Sequence, residues 1–386
     1  MRLPGVTMTP EAEALRGEVR AFVAGELRAG SFVPRVDSWL SGFDPDFSRR
    51  LGARGWLGMT WPARYGGGER TALERYVVIE ELLAAGAPVG AHWVADRQTG
   101  PLLLRFGTEE QRERLLPAMA RGELYFAIAM SEPDAGSDLA AVRTRAERVD
   151  GGWRLHGTKV WTSGAHLCHH AVVLCRTSPP GDDRHAGLSQ MLLDLRADAG
   201  VDIRPILSMT GEHHFNEVVL DGAFVPDAMV VGQIGDGWRQ VTSELAYERS
   251  GPERFLSTLP LLVALVDRIG ADTGEQEAAL VGELVAGLAA LRWLSLSVAA
   301  AIEGGAAPAV EAALVKDLGT RFEREIIAAT RRLVPCEPAL DADDPLAVLL
   351  AEAVLTSPGG TLRGGTNEIL RTIVARALAT APASGD

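Results

Sequence analysis

GELYFAIAMSEPDAGSD, from Gly122 to Asp138, is where the periodicity of the chain changes. Upstream, apolar residues recur at helical intervals, as at Leu15, Val19, Phe22 and Leu27, whereas LYFAIAM is an unbroken apolar run of strand length. Further strands follow at WRLHGTKVW, announced by the turn signal Asp150-Gly151-Gly152, and at HAVVLC, LSQMLLDL and NEVVLDGAFVP. From Asp236 the helical period returns and runs to the end, with an apolar stretch at Ala278–Ala301 that reads as a helix buried on most sides. The expectation is an α+β chain: a helical region over 1–121, a β region over 122–235 and a helical region over 236–386.

Local signals support the helical start. Thr9-Pro10-Glu11 places a cap before a proline at the first helical position, and Thr108-Glu109-Glu110-Gln111 is a capping box. Between them GWLGMTWPARYGGG, from Gly55 to Gly68, interrupts the helices with glycine, proline and tryptophan, which reads as an ordered loop with apolar anchors.

At 386 residues the chain exceeds a single compact core. A formal charge of -13 without a cationic cluster argues against nucleic acid or an anionic membrane as partner. Nearly every basic residue is arginine; Lys159 and Lys316 are the lysines, which reads as coding bias. Cys168, Cys175 and Cys336 are too scattered for a disulfide framework, the first residues lack the run of a signal peptide, and no stretch approaches the roughly 18 apolar residues that span a bilayer. A soluble, cytoplasmic protein is expected.

Three stretches carry candidate chemistry. SEPDAGSD, Ser131 to Asp138, follows a strand directly; its small residues let a flat ligand approach the backbone, although taken alone they read first as a tight turn, and Glu132, Asp134 and Asp138 make the loop a poor phosphate cradle. KVWTSGA, Lys159 to Ala165, ends a strand in an indole followed by two hydroxyls, which suits a planar heteroaromatic ring. In ELAYERSGPER, Glu244 to Arg254, Trp238, Val241 and Leu245 stand at helical spacing from Glu248, so a carboxylate falls on an apolar stripe. An ion pair with a neighbouring arginine is one reason for it; a catalytic carboxylate is another. Ser250-Gly251-Pro252-Glu253 has the form of a capping box, so a helix should end near Ser250 and another begin there. His166, Cys168, His169 and His170 lack the separated pairs of a zinc site, so no metal is expected, and His213-His214 reads as a solvated turn.

SEPDAGSD and KVWTSGA, with GW...WP..YGG, FGTEEQ and the late GGTNEILRTIVAR, resemble in order and spacing the acyl-CoA dehydrogenase family, over about Gly55 to Arg376. The resemblance implies an N-terminal helical domain, a middle β domain, a C-terminal four-helix bundle, and FAD held between the last two domains and across a subunit interface. It implies that Met130, Ser131, Gly136 and Ser137 line the flavin and the start of the acyl thioester. Trp161, Thr162 and Ser163 would flank the isoalloxazine, and Thr366 in Arg363-Gly364-Gly365-Thr366 would also touch it.

Family members place the glutamate base either before the Gly-Thr of the late motif, here Gly364, or in an E-R pair early in the C-terminal domain, here Glu248-Arg249. The resemblance thus implies Glu248 as base, with Arg249 facing the acyl carrier or simply pairing with an acid, and dehydrogenation of an acyl-CoA or carrier-protein thioester in fatty-acid or secondary metabolism. An electron-transferring flavoprotein would accept the electrons. The rivals are a flavin oxidase or monooxygenase on this fold and a supporting subunit. Two family segments that reach a neighbouring subunit's FAD are replaced, one by VDRIGADTGEQEA with Arg268 but no Phe-Gly, the other by CEPALDADDPLAVLLAEAVLTSPGG. A dimer or tetramer is expected, and those losses point to a heteromer.

Overall fold

The structure is a computed structural model that describes residues 3, 5–179, 181–196 and 200–380, with the side chains of 244–248 and 380 outside the description. Helices come first: α1 (Pro10–Arg28), α2 (Ser38–Ser41), α3 (Pro45–Ala53), α4 (Ala72–Ala84), α5 (Gly90–Val94), α6 (Gly100–Phe106) and α7 (Glu109–Ala120). The Thr9 side chain accepts from the Ala12 N–H with Pro10 in the first turn of α1, and Thr108 with Gln111 closes a capping box on α7. Both starts follow the expected chemistry.

The sheet comprises β1 (Phe126–Ala129), β2 (Arg145–Val149), β3 (Gly152–Lys159), β4 (His170–Arg176), β5 (Leu188–Asp194), β6 (Val201–Leu207) and β7 (His213–Pro226). Its order is β1-β4-β2-β3-β7-β6, with β5 pairing β4. β1 runs parallel to β4, and the β2–β3 hairpin closes with Val149 opposite Gly152. Two strands escape the apolar pattern. RAERV buries only Ala146, and VDIRPIL is an edge strand carrying Pro205, so neither shows an apolar run. His213 and His214 are the first residues of β7 and not a solvated turn, because β6 pairs with that end of the strand.

The C-terminal helices are α8 (Gly237–Ser250), α9 (Leu259–Ile269), α10 (Glu275–Glu303), α11 (Ala309–Leu333), α12 (Pro345–Gly360) and α13 (Asn367–Thr380). α8 ends at Ser250 as expected, but the capping box does not form. Pro252–Arg254 is a single 3-10 turn capped by Gly251 without a side chain, and Glu253 turns to Arg254 at 3.2 Å.

The α10 helix differs from expectation in two respects. It is long and apolar enough, by length and composition, to cross a membrane, whereas no such stretch was expected. Nor is it buried on most sides: its buried residues are Leu284, Leu291 and Ser295–Val298, while Val285 and Trp293 are exposed.

The chain divides into two compact units. One comprises Met1–Gly42, Thr71–Pro88 and Leu245–Asp386; there Arg16 and Arg292 converge on Glu80, at 2.7 and 2.6 Å. The other comprises Phe43–Arg70 and Val89–Glu244. Its main core joins Phe126, Leu155, Val172, Leu192 and Val225 of the sheet to Trp61, Tyr65 and Leu116. Trp61 lies so close over Gly100 that a Cβ there would meet its ring at 2.0 Å, which is why α6 starts on a glycine. A second cluster gathers Ala135, Val142, Leu174, Leu188 and Val241 with Met130 and Trp238 against it. Trp238 and Val241 thus occupy the apolar stripe read from the sequence; the side chains of Leu245 and Glu248 lie outside the described residues.

Candidate cofactor and active site

In the sheet-bearing unit, the loop after β1 and the loop after β3 are tied together by a buried lysine. Lys159 Nζ donates to the Met130 carbonyl and to Glu132 Oε1, each at 2.9 Å. The same carboxylate accepts from the N–H groups of Arg143 (2.7 Å) and Thr144 (2.8 Å). Burial pushes the Glu132 carboxyl up, but Lys159 and these donors outweigh it and hold it below its ordinary value. The Val160 N–H closes the arrangement on the Ser131 carbonyl at 2.9 Å. Met130 and Ser131 therefore stand beside Val160 and Trp161 on a fixed backbone. Beyond them Gly136 faces open space, since a Cβ there would meet nothing within 4 Å, and Ser137 is exposed.

Trp161 has φ 59°, a left-handed conformation that costs a bulky residue on the order of 1–3 kcal/mol. Its indole is 59% exposed and meets Phe215 edge-on at 5.7 Å. Thr162 follows with no exposure, and its Oγ1 is buried with no hydrogen-bond partner among the described residues. Asn216 grips Thr162 on both sides: its main-chain carbonyl accepts the Thr162 N–H (3.1 Å) and its side-chain Nδ2 donates to the Thr162 carbonyl (2.8 Å). The Gly164 N–H donates to the His214 carbonyl at 3.0 Å. Asn216 escaped the sequence reading; its place one residue after Phe215 in NEVVLDGAFVP was the available signal.

The neighbouring histidines and cysteine serve packing. Burial pushes Cys168 up to about 12, His169 Nδ1 accepts from the Tyr125 N–H at 3.1 Å, and His170 stacks on Phe126 at 5.3 Å. Among the described residues no three His, Cys, Asp or Glu side chains group to hold a metal ion.

In the other unit, Arg363-Gly364-Gly365-Thr366 leads into α13 with φ 68° and 89° at the two glycines. Thr366 Oγ1 accepts from the Ile369 N–H at 3.3 Å, so its hydroxyl caps the helix. Lys316, without solvent exposure, donates to Asn367 Oδ1 at 2.6 Å and to the Thr361 carbonyl at 3.3 Å. Burial, then Arg254 and Arg363, lowers Lys316 to about 7. Burial likewise raises Glu323, which accepts from the Ser257 N–H, to about 7.

Arg249, buried at the end of α8, donates through Nε to the Gly364 carbonyl at 3.2 Å. Arg254, buried and ion-paired with Glu253, places its guanidinium 2.9 to 3.0 Å from where a Gly364 Cβ would stand. Arg363 pairs with both oxygens of Asp37 at 2.5 and 2.8 Å, and Arg254 and Arg363 both lie over Trp39. The side chain of Glu248 lies outside the described residues. Arg268, in the first divergent segment, bonds to Asp344, in the second, at 2.6 Å within the chain.

An exposed indole in a strained but pinned backbone, a buried hydroxyl without a partner and open space beside Gly136 fit the edge of a flat, polar cofactor. With helices on either side of the sheet in sequence, the chain has a helical–sheet–helical order, and these features are those of a candidate cofactor-binding site.

The comparisons with known proteins specify the class. Residues 9–123 match the description "Acyl-CoA dehydrogenase, N-terminal domain" and residues 127–223 "Acyl-CoA dehydrogenase, middle domain". The chain is 34% identical to the acyl-CoA dehydrogenase IpdE1 of Mycobacterium tuberculosis, over 95% of this chain and 96% of that protein. It is 36% identical to FadE34 of the same organism over 86% of this chain but 45% of that protein, so it spans under half of FadE34. Among solved structures, the Tcur3481-Tcur3483 steroid ACAD superposes with a TM-score of 0.86 at 29% identity, over 98% of this chain and 99% of that one. The ChsE4-ChsE5 complex from Mycobacterium tuberculosis gives 0.83 at 27%, over the whole of both chains. The chain belongs to the acyl-CoA dehydrogenase family, a family of flavin-dependent oxidoreductases.

Proposed function

We propose that the protein binds FAD and dehydrogenates an acyl thioester between its α and β carbons, with Glu248 as the base. The observation that carries the cofactor assignment is the Trp161-Thr162 pair, an indole and an unpartnered hydroxyl presented by a rigid backbone. When bound, FAD supplies the acceptor for the hydride that leaves the β carbon. Met130, Ser131, Gly136 and Ser137 provide backbone and hydroxyl groups for the flavin and the thioester, Trp161 a flat wall, Thr162 and Ser163 hydroxyl donors, and Thr366 a further flavin contact. Glu248 takes the α proton, so that proton and hydride leave an enoyl thioester.

Gly364 supports the choice of base. The alternative position carries no carboxylate, and the Arg254 guanidinium occupies the space a side chain would need. Arg249, anchored to the Gly364 carbonyl, fixes the end of the helix that carries Glu248 and faces the acyl carrier. The steroid named for the Tcur3481-Tcur3483 enzyme makes a bulky polycyclic acyl-CoA the substrate class to assay first, ahead of a carrier-protein thioester.

We also propose a heteromeric assembly in the cytoplasm, with an electron-transferring flavoprotein as acceptor. In its support, Arg268 is engaged with Asp344 of its own chain, α10 exposes Val285 and Trp293, and one neighbour named above is the ChsE4-ChsE5 complex while the other carries a paired name.

A purified complex should be yellow and bleach anaerobically with its thioester. Glu248→Gln should keep the flavin spectrum and lose about two to four orders of magnitude in turnover. Near-normal turnover in that variant removes the base assignment, and one FAD per chain in a homo-oligomer removes the heteromer. Rapid oxygen consumption by the reduced enzyme would instead favour an oxidase, and a chain coloured only through its partner a supporting subunit.

A further inference from the structure

The left-handed backbone of Trp161 needs something to hold it, because a tryptophan released there relaxes to negative φ and swings its ring away. Its preceding residue is held by the bond from the Val160 N–H to the Ser131 carbonyl. Its following residue is held by the fully buried Asn216, whose main-chain carbonyl accepts the Thr162 N–H and whose side-chain Nδ2 donates to the Thr162 carbonyl. A carbonyl only accepts, so the Asn216 group facing it is the amide nitrogen and its Oδ1 faces the other way. There two imidazoles converge: His213 Nε2 at 2.7 Å and His166 Nδ1 at 3.1 Å. The rings stack on each other at 3.7 Å and 15°. Both must donate to Oδ1, which fixes the Nδ1–H tautomer on His166 and Nε2–H on His213 and fills both lone pairs of the oxygen. Burial, then the facing ring, lowers the pKa of His166.

We infer that Asn216 is a positioning residue of the flavin site: it holds Trp161 and Thr162 in the conformation that presents indole and hydroxyl to the cofactor, and the His166–His213 stack keeps its amide from flipping. The inference rests on the reading that Trp161 to Ser163 border the flavin. A turned amide would set Oδ1 against the Thr162 carbonyl and Nδ2 against two N–H donors, losing three hydrogen bonds at once. An asparagine that served packing alone would require neither stacked imidazole.

The test compares Asn216→Asp, Asn216→Ala and His166→Phe with Trp161→Phe in the flavin-loaded protein, by flavin dissociation constant, visible circular dichroism and thermal midpoint without flavin. Asn216→Asp keeps the acceptor for both imidazoles and sets an oxygen against the Thr162 carbonyl. It should weaken flavin binding about tenfold and change the visible dichroism of the bound flavin, and it should also lower the flavin-free midpoint, because the fully buried oxygen meets the Thr162 carbonyl. Asn216→Ala should do the same. His166→Phe retains a stacked ring without the donor and should weaken binding by about threefold. If Trp161→Phe alters the dichroism while Asn216→Asp leaves dichroism and affinity within about twofold of the wild type, the inference falls and the flavin reading stands. If Trp161→Phe also leaves the flavin untouched, both fall. Should Asn216→Ala fail to fold, Asn216→Asp and His166→Phe decide.

Discussion

Replacing Lys159 by methionine removes an ammonium from a position without solvent exposure while roughly conserving the length of its stem. The Glu132 carboxylate then loses its counter-charge but keeps the Arg143 and Thr144 N–H donors, and the Met130 carbonyl loses one donor. Removing one partner of a buried pair costs about 3–5 kcal/mol; the two remaining donors place this case at about 3. Urea unfolding followed by tryptophan fluorescence at neutral pH reads the difference, with the flavin affinity measured in parallel because the lysine joins the Met130 and Trp161 segments. The pH dependence gives a second reading. Glu132 is held below its ordinary value, so its contribution is present above the unfolded carboxylate range and is lost as pH falls through the folded value. Without Lys159 that contribution shrinks, so the gap between wild type and variant should narrow as pH falls below about 4.5. A variant within about 1 kcal/mol of wild type at neutral pH, or a gap that widens in acid, refutes the reasoning.

Three further outcomes follow from other sites. Adding Gly364→Glu to Glu248→Gln should not restore turnover, because Arg254 stands where the new side chain must begin and would capture its carboxylate; recovery to within about tenfold of wild type refutes this. Glu323, raised to about 7, contributes stability that is lost as pH rises from its unfolded value through 7, while Lys316, lowered to about 7, makes stability rise with pH from 7 towards its unfolded value. Relative to wild type, Glu323→Gln should gain stability as pH rises from 4.5 to about 7 and Lys316→Met should lose it as pH rises from about 7 towards 10.5, in urea midpoints across pH; differences that do not change with pH refute the assignment. Gly100→Ala sets a Cβ inside the Trp61 ring and should cost about 1–3 kcal/mol or more in urea unfolding; a neutral result would mean that α6 shifts freely.

The change of period at Gly122 was legible because β1, β4 and β5 are buried almost throughout, and burial on both faces writes a continuous apolar run. RAERV and VDIRPIL were not, because one buries a single alanine and the other lies at the sheet edge. Of the candidate site, SEPDAGSD and KVWTSGA were readable as local motifs and their side-by-side placement was not. That placement depends on Lys159 reaching back to Met130 and Glu132, a long-range contact with no periodicity. The Ser250–Glu253 signal misled because a capping box requires a helix after it, and only one 3-10 turn follows. The α10 helix was read as enclosed because an alanine- and leucine-rich surface has the same composition whether the chain itself covers it or leaves it exposed.

Both lysines of this chain are sealed inside it, one beneath each loop assigned to the cofactor, while its other Lys-or-Arg positions are all arginine. Acylating dyes, amine-directed crosslinkers and reductive methylation should therefore find no lysine on the native fold. The first modified lysine to appear under stress marks which loop has opened: Lys159 for the segment of Met130 and Trp161, Lys316 for the glycine turn before α13. A residue usage that reads as coding bias thus makes the chain its own footprinting probe, with two built-in reporters.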